Sequence, residues 1–391
     1  MKQIILIGVG LLISCFGYGQ ISTGELPYSW TSEGGGISEN ASSVIVLPQL
    51  NMTQINQEDS GNEGAGGPTR FGFSHDVDIS LTNSGSWITT SDGGHLWTVN
   101  IISPDALSLN ILYDQFWLPD GAKLFIYASD LSQHIGAFTS LNNKGTKEAV
   151  HGFATGFLFT NSITLEYYEP ANVTENGIVS ISKIISGYRY VHDIVENTNN
   201  QNADIYSCNK DINCSEGANW QQEKNAVAFV VMGGSICTGA LLNTTANDNR
   251  PHFLTANHCF ETNMNAEQWT FYWNYEASSC NGTASLNATK STSGASLLAR
   301  RVDTDFTLLN LLEDPAFNPN VTVYYLGWDR TNGSATSGVG IHHPKGAQKK
   351  ISIENNTINN YSPTICWGQN CSNGTSPANT HWQVFFDVGT A

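Results

Sequence analysis

The chain has 391 residues and a formal net charge of −17, yet only 13% of its residues are charged. So acidic a balance argues against a nucleic-acid partner, whose phosphates demand a basic surface. The length leaves room for two domains, and the acidity itself speaks of solubility and not of chemistry.

Residues 1–20 read as an export signal. Lys2 supplies the positive start, residues 4–14 form a short apolar core, and Gly17-Tyr18-Gly19-Gln20 offers small residues for cleavage. That apolar run is too short to span a membrane with ordinary flanks, and no later segment approaches transmembrane length. Leu12-Ile13-Ser14-Cys15 also has the look of a bacterial lipoprotein signal, in which Cys15 would be acylated. Secretion to the periplasm or the medium is the first expectation, and anchoring through Cys15 the second.

Residues 21–202 are rich in strand and turn signals. Leu96-Trp97-Thr98-Val99-Asn100-Ile101 predicts a strand, as do residues 122–127 and 162–168. Pro119-Asp120-Gly121 and Asn142-Asn143-Lys144-Gly145 predict turns. Residues 57–68 are polar and Gly-rich and read as a flexible stretch. No long segment of 3.6-residue period appears, so a β-sandwich-like domain is expected. The Asn-rich residues 197–202 read as a linker. Charge shifts there too, because residues 203–391 carry 10 Lys and Arg against 15 Asp and Glu, and the preceding 202 carry 7 against 19.

Beyond the linker the strands shorten and become more apolar. They are expected at residues 226–232, followed by a Gly233-Gly234 turn, then at 237–242, 252–256, 269–275, 306–312 and 321–328. Many short strands without intervening helices mean a sandwich or a barrel. Apart from Cys15, every cysteine falls in this half: Cys208, Cys214, Cys237, Cys259, Cys280, Cys366 and Cys371. Such confinement in an exported chain points to a disulfide-stapled domain behind a cysteine-free one. Seven is odd, so at least one of them has no partner among these residues.

Chemistry concentrates around His258. In Phe253-Leu254-Thr255-Ala256-Asn257-His258-Cys259 a cysteine directly follows the histidine, and Cys237 stands one strand earlier. A bridge between the two can close a loop of about 22 residues, contribute on the order of 3 kcal/mol, and fix where the imidazole points. A general base needs that fixing, because proton transfer demands geometry as well as a suitable pKa. Asp303-Thr304-Asp305-Phe306-Thr307-Leu308-Leu309 opens an apolar strand with an aspartate that can be carried toward an imidazole, hold its tautomer and stabilise the imidazolium. His before Asp before Ser is the chain order of the chymotrypsin-type triad. No Gly-x-Ser-Gly follows Asp305, and Gly374-Thr375-Ser376-Pro377 imitates it only weakly.

At this point the chain resembles the bacterial lysyl endopeptidases. The likeness is carried by Cys237-Thr238-Gly239, by Leu242-Asn243-Thr244-Thr245-Ala246-Asn247-Asp248 and by the segment ending in His258-Cys259. It continues in order through Tyr272-Trp273-Asn274-Tyr275, Asp305-Phe306-Thr307-Leu308-Leu309, Gly327-Trp328-Asp329-Arg330, Ile341-His342-His343-Pro344 and His381-Trp382-Gln383. It covers roughly residues 205–391. The resemblance implies an all-β, trypsin-like double β-barrel whose second barrel is incomplete, with His258 as base and Asp305 as its orienting partner. It implies a serine endopeptidase acting on protein or peptide substrates, after lysine, with the nucleophile within about ten residues beyond Ala391. It pairs Cys237 with Cys259 and Cys214 with Cys280, and leaves Cys208 for a cysteine further on. Cys366 and Cys371 depart from the family and can form a local bridge. It implies that residues 21–202 are a propeptide ahead of a protease domain at 203–391. No Lys or Arg occurs between residues 190 and 207, so maturation is expected at Arg189 or within the linker.

Plainer readings compete at each position. Asp303 rivals Asp305, though the Phe-Thr-Leu-Leu continuation favours the latter. His342-His343, with His252 or His258, invites a metal reading, but no Cys-x-x-Cys or His-Glu-x-x-His occurs, and neither metal nor cofactor is expected. Trp367 resembles a tryptophan near the family's active site, and can equally be an ordinary core aromatic. The alternative function is a non-catalytic protease-like binding or adhesion module. A monomer is expected.

Overall fold

The computed structural model describes residues 22–31, 43–63, 67–189, 191, 209–260, 265–331, 333–366, 371 and 374–389. The signal with Cys15, the 197–202 linker, Cys208 and Trp367 lie outside the described residues.

The first half contributes strands β1 (Ser43–Val46), β2 (Thr69–Arg70), β3 (Gly72–Ser80), β4 (Ser86–Thr89), β5 (His95–Ile102), β6 (Ser108–Trp117), β7 (Lys123–Ala128), β8 (His134–Phe138), β9 (Gly145–Thr146), β10 (Ala149–Val150), β11 (Phe153–Ala154), β12 (Ser162–Glu169) and β13 (Ile178–Gly187). One sheet runs β1-β5-β12-β7-β8 with β4 on β5, and a second runs β11-β6-β13-β3. Their facing side chains form one apolar cluster that includes Trp97, Val99, Tyr113, Phe116, Leu165 and Ile184, all at most 1% exposed. This is the expected sandwich. The turn at Pro119-Asp120-Gly121 is closed by Ala122 N donating to Pro119 O, with Gly121 at φ +92° as such a turn requires.

One expectation fails here. Residues 57–68 do not form a flexible stretch throughout, because an α-helix, α1 (Met52–Glu63), runs into them. Its sequence, Met-Thr-Gln-Ile-Asn-Gln-Glu-Asp-Ser-Gly-Asn-Glu, carries almost no amphipathic pattern. The helix is held by few anchors: Asn51 Oδ1 accepts from Gln54 N, Ile55 packs with Leu50 and Tyr188, and the Asp59 carboxylate is buried. Tertiary contacts override a weak local signal in such a helix.

The second half contributes β14 (Lys210–Asp211), β15 (Val227–Met232), β16 (Ser235–Leu242), β17 (His252–Thr255), β18 (Trp269–Trp273), β19 (Ser291–Ser293), β20 (Ala295–Arg301), β21 (Phe306–Leu311), β22 (Gly338–His342), β23 (Lys350–Glu354), β24 (Asn359–Tyr361), β25 (Ile365–Cys366), β26 (Thr375–Ser376) and β27 (His381–Gln383). Its main sheet is ordered β19-β18-β15-β16-β17-β21-β20, antiparallel throughout, over a core of Val230, Leu241, Phe253, Phe271, Trp273 and Leu309. β14, β23 and β22 make a smaller sheet. Cys214 bridges Cys280, Cys237 bridges Cys259, and Cys366 bridges Cys371.

Residues 321–328 are not the strand expected of them. They make one isolated parallel bridge, Leu326 to Leu242, while Val321, Val323, Tyr324, Tyr325 and Leu326 pack on the main core. The apolar residues there serve burial without a hydrogen-bonded ladder, which is what β-propensity measures in part.

The two halves are packed together. Phe71, Leu112, Phe157 and Ile185 of the first half form one cluster with Phe229, Ile236 and Tyr272 of the second. Around it, Phe157 N donates to Tyr272 Oη at 2.9 Å, Gly152 N to Glu267 Oε2 at 2.9 Å, and Gln268 Nε2 to Tyr113 O at 2.9 Å. Lys144 and Glu313, each 6% exposed at the side chain, face one another across the interface at 3.7 Å, and Lys144 Nζ donates to Ser293 Oγ at 3.0 Å. Even the main sheet is shared, since β2 pairs with β16 (Thr69 opposite Ile236, Arg70 opposite Ser235).

Candidate active site

β17 and β21 are antiparallel neighbours, with Thr255 opposite Thr307. The chain leaving β17 and the chain entering β21 are therefore at the same end of the sheet, and these two places hold His258 and Asp305. Asn257 N donates to Asp305 O at 3.1 Å, which ties the two loops at the backbone. The Cys237–Cys259 bridge ties the histidine loop to β16 from the other side.

The side chains meet in a two-point contact. His258 Nδ1 lies 2.7 Å from Asp305 Oδ2, and His258 N donates to Asp305 Oδ1 at 2.8 Å. With one carboxylate oxygen on the backbone N–H and the other on the ring, the carboxylate plane is set and so is the imidazole tautomer, Nδ1–H. Asp305 reaches this position through a left-handed backbone, φ 49° and ψ 42°, where it ends a short 3-10 turn and opens β21. Such a conformation is uncommon outside glycine, better tolerated by Asp than by most residues, and concentrated at functional sites.

Burial pushes the Asp305 carboxyl pKa up, but the hydrogen bond and charge of His258, with the His258 and Asn257 N–H groups, outweigh it and hold the value below the ordinary carboxylate range. The group stays ionised at neutral pH. The imidazole is 43% exposed at its side chain against 20% for the carboxylate, so the ring's far nitrogen, Nε2, looks outward. Among the described residues, no hydroxyl is placed in hydrogen-bond contact with Nε2.

The rival aspartate is engaged elsewhere: Arg301 grips both carboxylate oxygens of Asp303, one of them at 2.8 Å. His343 is buried, takes Ala347 O on Nδ1 at 2.9 Å and stacks on Tyr275. Burial pushes its pKa well down, with the Lys349 charge adding to the effect, so it is a neutral packing histidine. Among the described residues one group of potential ligands gathers within 4.8 Å, namely Cys237, His258 and Cys259. Both its sulfurs are consumed by the disulfide, so it offers a metal no thiolate.

Sequence reasoning passed over Thr238 and Thr255. Thr255 Oγ1 donates to Thr238 O at 2.9 Å, and Thr238 Oγ1 accepts from His343 N at 3.0 Å, so the two hydroxyls brace β17 and the His343 loop against β16 behind the histidine. Threonines in β-strands are too common for this to have been noticed. It also passed over residues 67–69, which border the same pocket as His258.

The disulfide-tied antiparallel sheet with a His–Asp pair at its open end places the fold in the all-β, trypsin-like class. Residues 203–391 match the family described as lysyl endopeptidase, C-terminal domain. The lysyl endopeptidase of Pseudomonas aeruginosa is 30% identical over 302 residues, which span 71% of this chain and 61% of that relative. Over these residues the chain is similar to the lysyl endopeptidases, and it spans about three fifths of the length of the relative it matches. Residues 203–391 are less than half of the chain, so the match over 71% reaches into the first half as well.

Proposed function

We propose that the protein is a secreted serine endopeptidase precursor, with residues 203–391 in its protease domain and residues 21–202 as a propeptide. The observation that carries this is the 2.7 Å contact of His258 Nδ1 with the ionised Asp305 carboxylate, within the residues that match the lysyl endopeptidase family. In this reading a serine Oγ hydrogen-bonds Nε2, attacks the peptide carbonyl and gives its proton to His258. The imidazolium is stabilised by Asp305 and then protonates the leaving amine, and water repeats the cycle to release the acid. The serine belongs outside the described residues. Preference for lysine follows the name of the Pseudomonas relative. Three disulfides fit an oxidising compartment, and among the described residues no helix is long and apolar enough to cross a membrane.

The test is made on the full-length gene product after maturation. It should hydrolyse lysyl peptide substrates, react with a fluorophosphonate probe, and lose both properties in the His258→Ala variant, the rate falling by about four orders of magnitude or more. A mature protein that binds peptides but neither reacts with the probe nor hydrolyses them would instead be a protease-like binding module.

A further inference from the structure

β16 is covered unevenly. On one side β15 pairs along residues 235–240, but on the other β17 pairs only from Ala240 to Leu242. Thr255 Oγ1 closes on Thr238 O, so residues 235–237 would present a bare strand edge leading from the Gly233-Gly234 turn to Cys237 and the disulfide beneath His258. Such an edge accepts an extended peptide by adding a strand to the sheet. In this structure the edge is taken by β2, from the other half of the chain, with Thr69 opposite Ile236 and Arg70 opposite Ser235. Because the pairing is antiparallel, the segment runs toward His258 as its numbers fall, and Gly67, Pro68 and Thr69 line a pocket of 280 Å³ together with His258 and the disulfide. The ladder stops at Thr69 opposite Ile236.

A dedicated clamp holds this short strand. The buried Asp59 carboxylate of α1 accepts from Arg70 Nε at 2.8 Å and from Tyr188 Oη at 2.8 Å, and pairs with Arg189 Nη2 at 2.8 Å. Glu58 takes a second Arg70 nitrogen at 2.9 Å. Phe71 O accepts from Tyr188 N and Arg189 N, while Phe71 N and Gly72 N donate to Gly234 O. The polar helix thus fastens β2 and the last described residues before the linker to one carboxylate.

We infer that the edge of β16 is a docking site for extended peptide, and that residues 67–70 are its resident occupant, masking the approach to His258 for as long as the Asp59 clamp holds. The inference rests on the functional reading for the statement that substrate uses this edge. The occupancy itself stands on the pairing alone. A tethered strand acts at an effective concentration on the order of millimolar, so a free peptide of ordinary affinity does not displace it.

The experiment uses the 391-residue chain and a fluorescein-labelled synthetic peptide of residues 65–72, followed by fluorescence anisotropy. The unaltered protein should bind the peptide weakly. Thr69→Pro, which removes a ladder N–H, and Asp59→Asn, which loosens the clamp, should each bind it at least tenfold more tightly, with amide exchange at Ile236 accelerated when no peptide is present. Near-UV circular dichroism shows whether each variant is folded, and the milder Asp59→Asn decides the matter if Thr69→Pro is not. Folded variants that bind no better than the unaltered protein, with unchanged exchange at Ile236, overturn the inference. Neither readout needs hydrolysis. Tighter binding in a protein whose full-length form is inactive would leave the docking edge standing and remove only the endopeptidase reading.

Discussion

At Asp305 one residue satisfies three demands at once: an acceptor for His258 N, an acceptor for His258 Nδ1, and a backbone carbonyl turned to Asn257 N. Its left-handed backbone is what lets all three point the same way. Asparagine keeps the size but offers one acceptor and one donor, so it favours the wrong imidazole tautomer. Asp305→Asn in the full-length enzyme should lower kcat by roughly four orders of magnitude with little change in KM. Asp303→Asn, which touches only the Arg301 pairing at the surface, should leave kcat within a few-fold. A collapse of activity in Asp303→Asn instead would mean the two aspartates have been given each other's roles. Because the Asp305 pKa is depressed on folding, its contribution to stability is present above the ordinary value of 3.8 and is lost as pH falls through the lowered one.

At the scale of elements, the close approach of β17 where its pairing with β16 begins explains the glycine of Cys237-Thr238-Gly239. A Cβ at Gly239 would come within 2.3 Å of the Phe253 ring and 2.6 Å of Leu254 O. Gly239→Ala should therefore cost roughly 1–3 kcal/mol in denaturant unfolding, by overpacking. An unchanged midpoint would show that Phe253 moves aside freely. The contact between the halves turns on Lys144, whose ammonium pKa burial pushes down and the Glu313 and Glu267 charges pull back up. Removing it takes the Lys144 cation from the buried Glu313 carboxylate, to which Ser293 N still donates at 2.6 Å. Lys144→Ala should weaken the packing of the two halves by about 3–5 kcal/mol, and adding Glu313→Ala should recover part of that loss. A double variant no better than the single would contradict the pairing.

For the whole molecule, cutting the chain between its halves should not by itself separate them. Glu267 bonds to His151 and Gly152 across the interface, and although burial raises its carboxyl pKa, these partners lower it on balance. A carboxyl depressed by docking favours the joined state above its free value of 4.5, and that help disappears as pH falls through the lowered one. The cleaved halves should co-elute in size-exclusion chromatography at neutral pH and come apart increasingly below about pH 4.5. Separation that grows with rising pH would contradict this. Arg189 is held by Asp59 and its own N–H donates to Phe71 O. On the proposed propeptide reading, cleavage at Arg189 has to break these contacts first, so the expected site is the Asn-rich linker, and N-terminal sequencing of the mature protein should find a start between residues 197 and 203. A start directly after Arg189 would contradict this.

Much of this protein was written locally in its sequence. The apolar runs at β5, β15, β16, β17 and β21 announce strands because each is buried on its own terms. His258 next to Cys259, and Asp305 ahead of an apolar strand, are signals within a few residues of one another. The collinear motifs that carry the family likeness are of the same local kind. What only the tertiary structure decided was pairing over distance. Asp303 and Asp305 differ by two positions; the Phe-Thr-Leu-Leu continuation already favours Asp305, and the backbone reversal there shows how its carboxylate reaches His258. The helix at Met52–Glu63 has no periodic face, since its main anchors are Ile55 and one buried carboxylate whose partners lie 11 to 130 residues away. Two residues at Thr69–Arg70 carry no recognisable strand signal, yet they complete a sheet whose other strands lie more than 150 residues further on. Residues 321–328 have the composition of a strand and no ladder to join. Composition and spacing report how a segment is buried, and hydrogen-bond partners remote in the chain leave no trace in either.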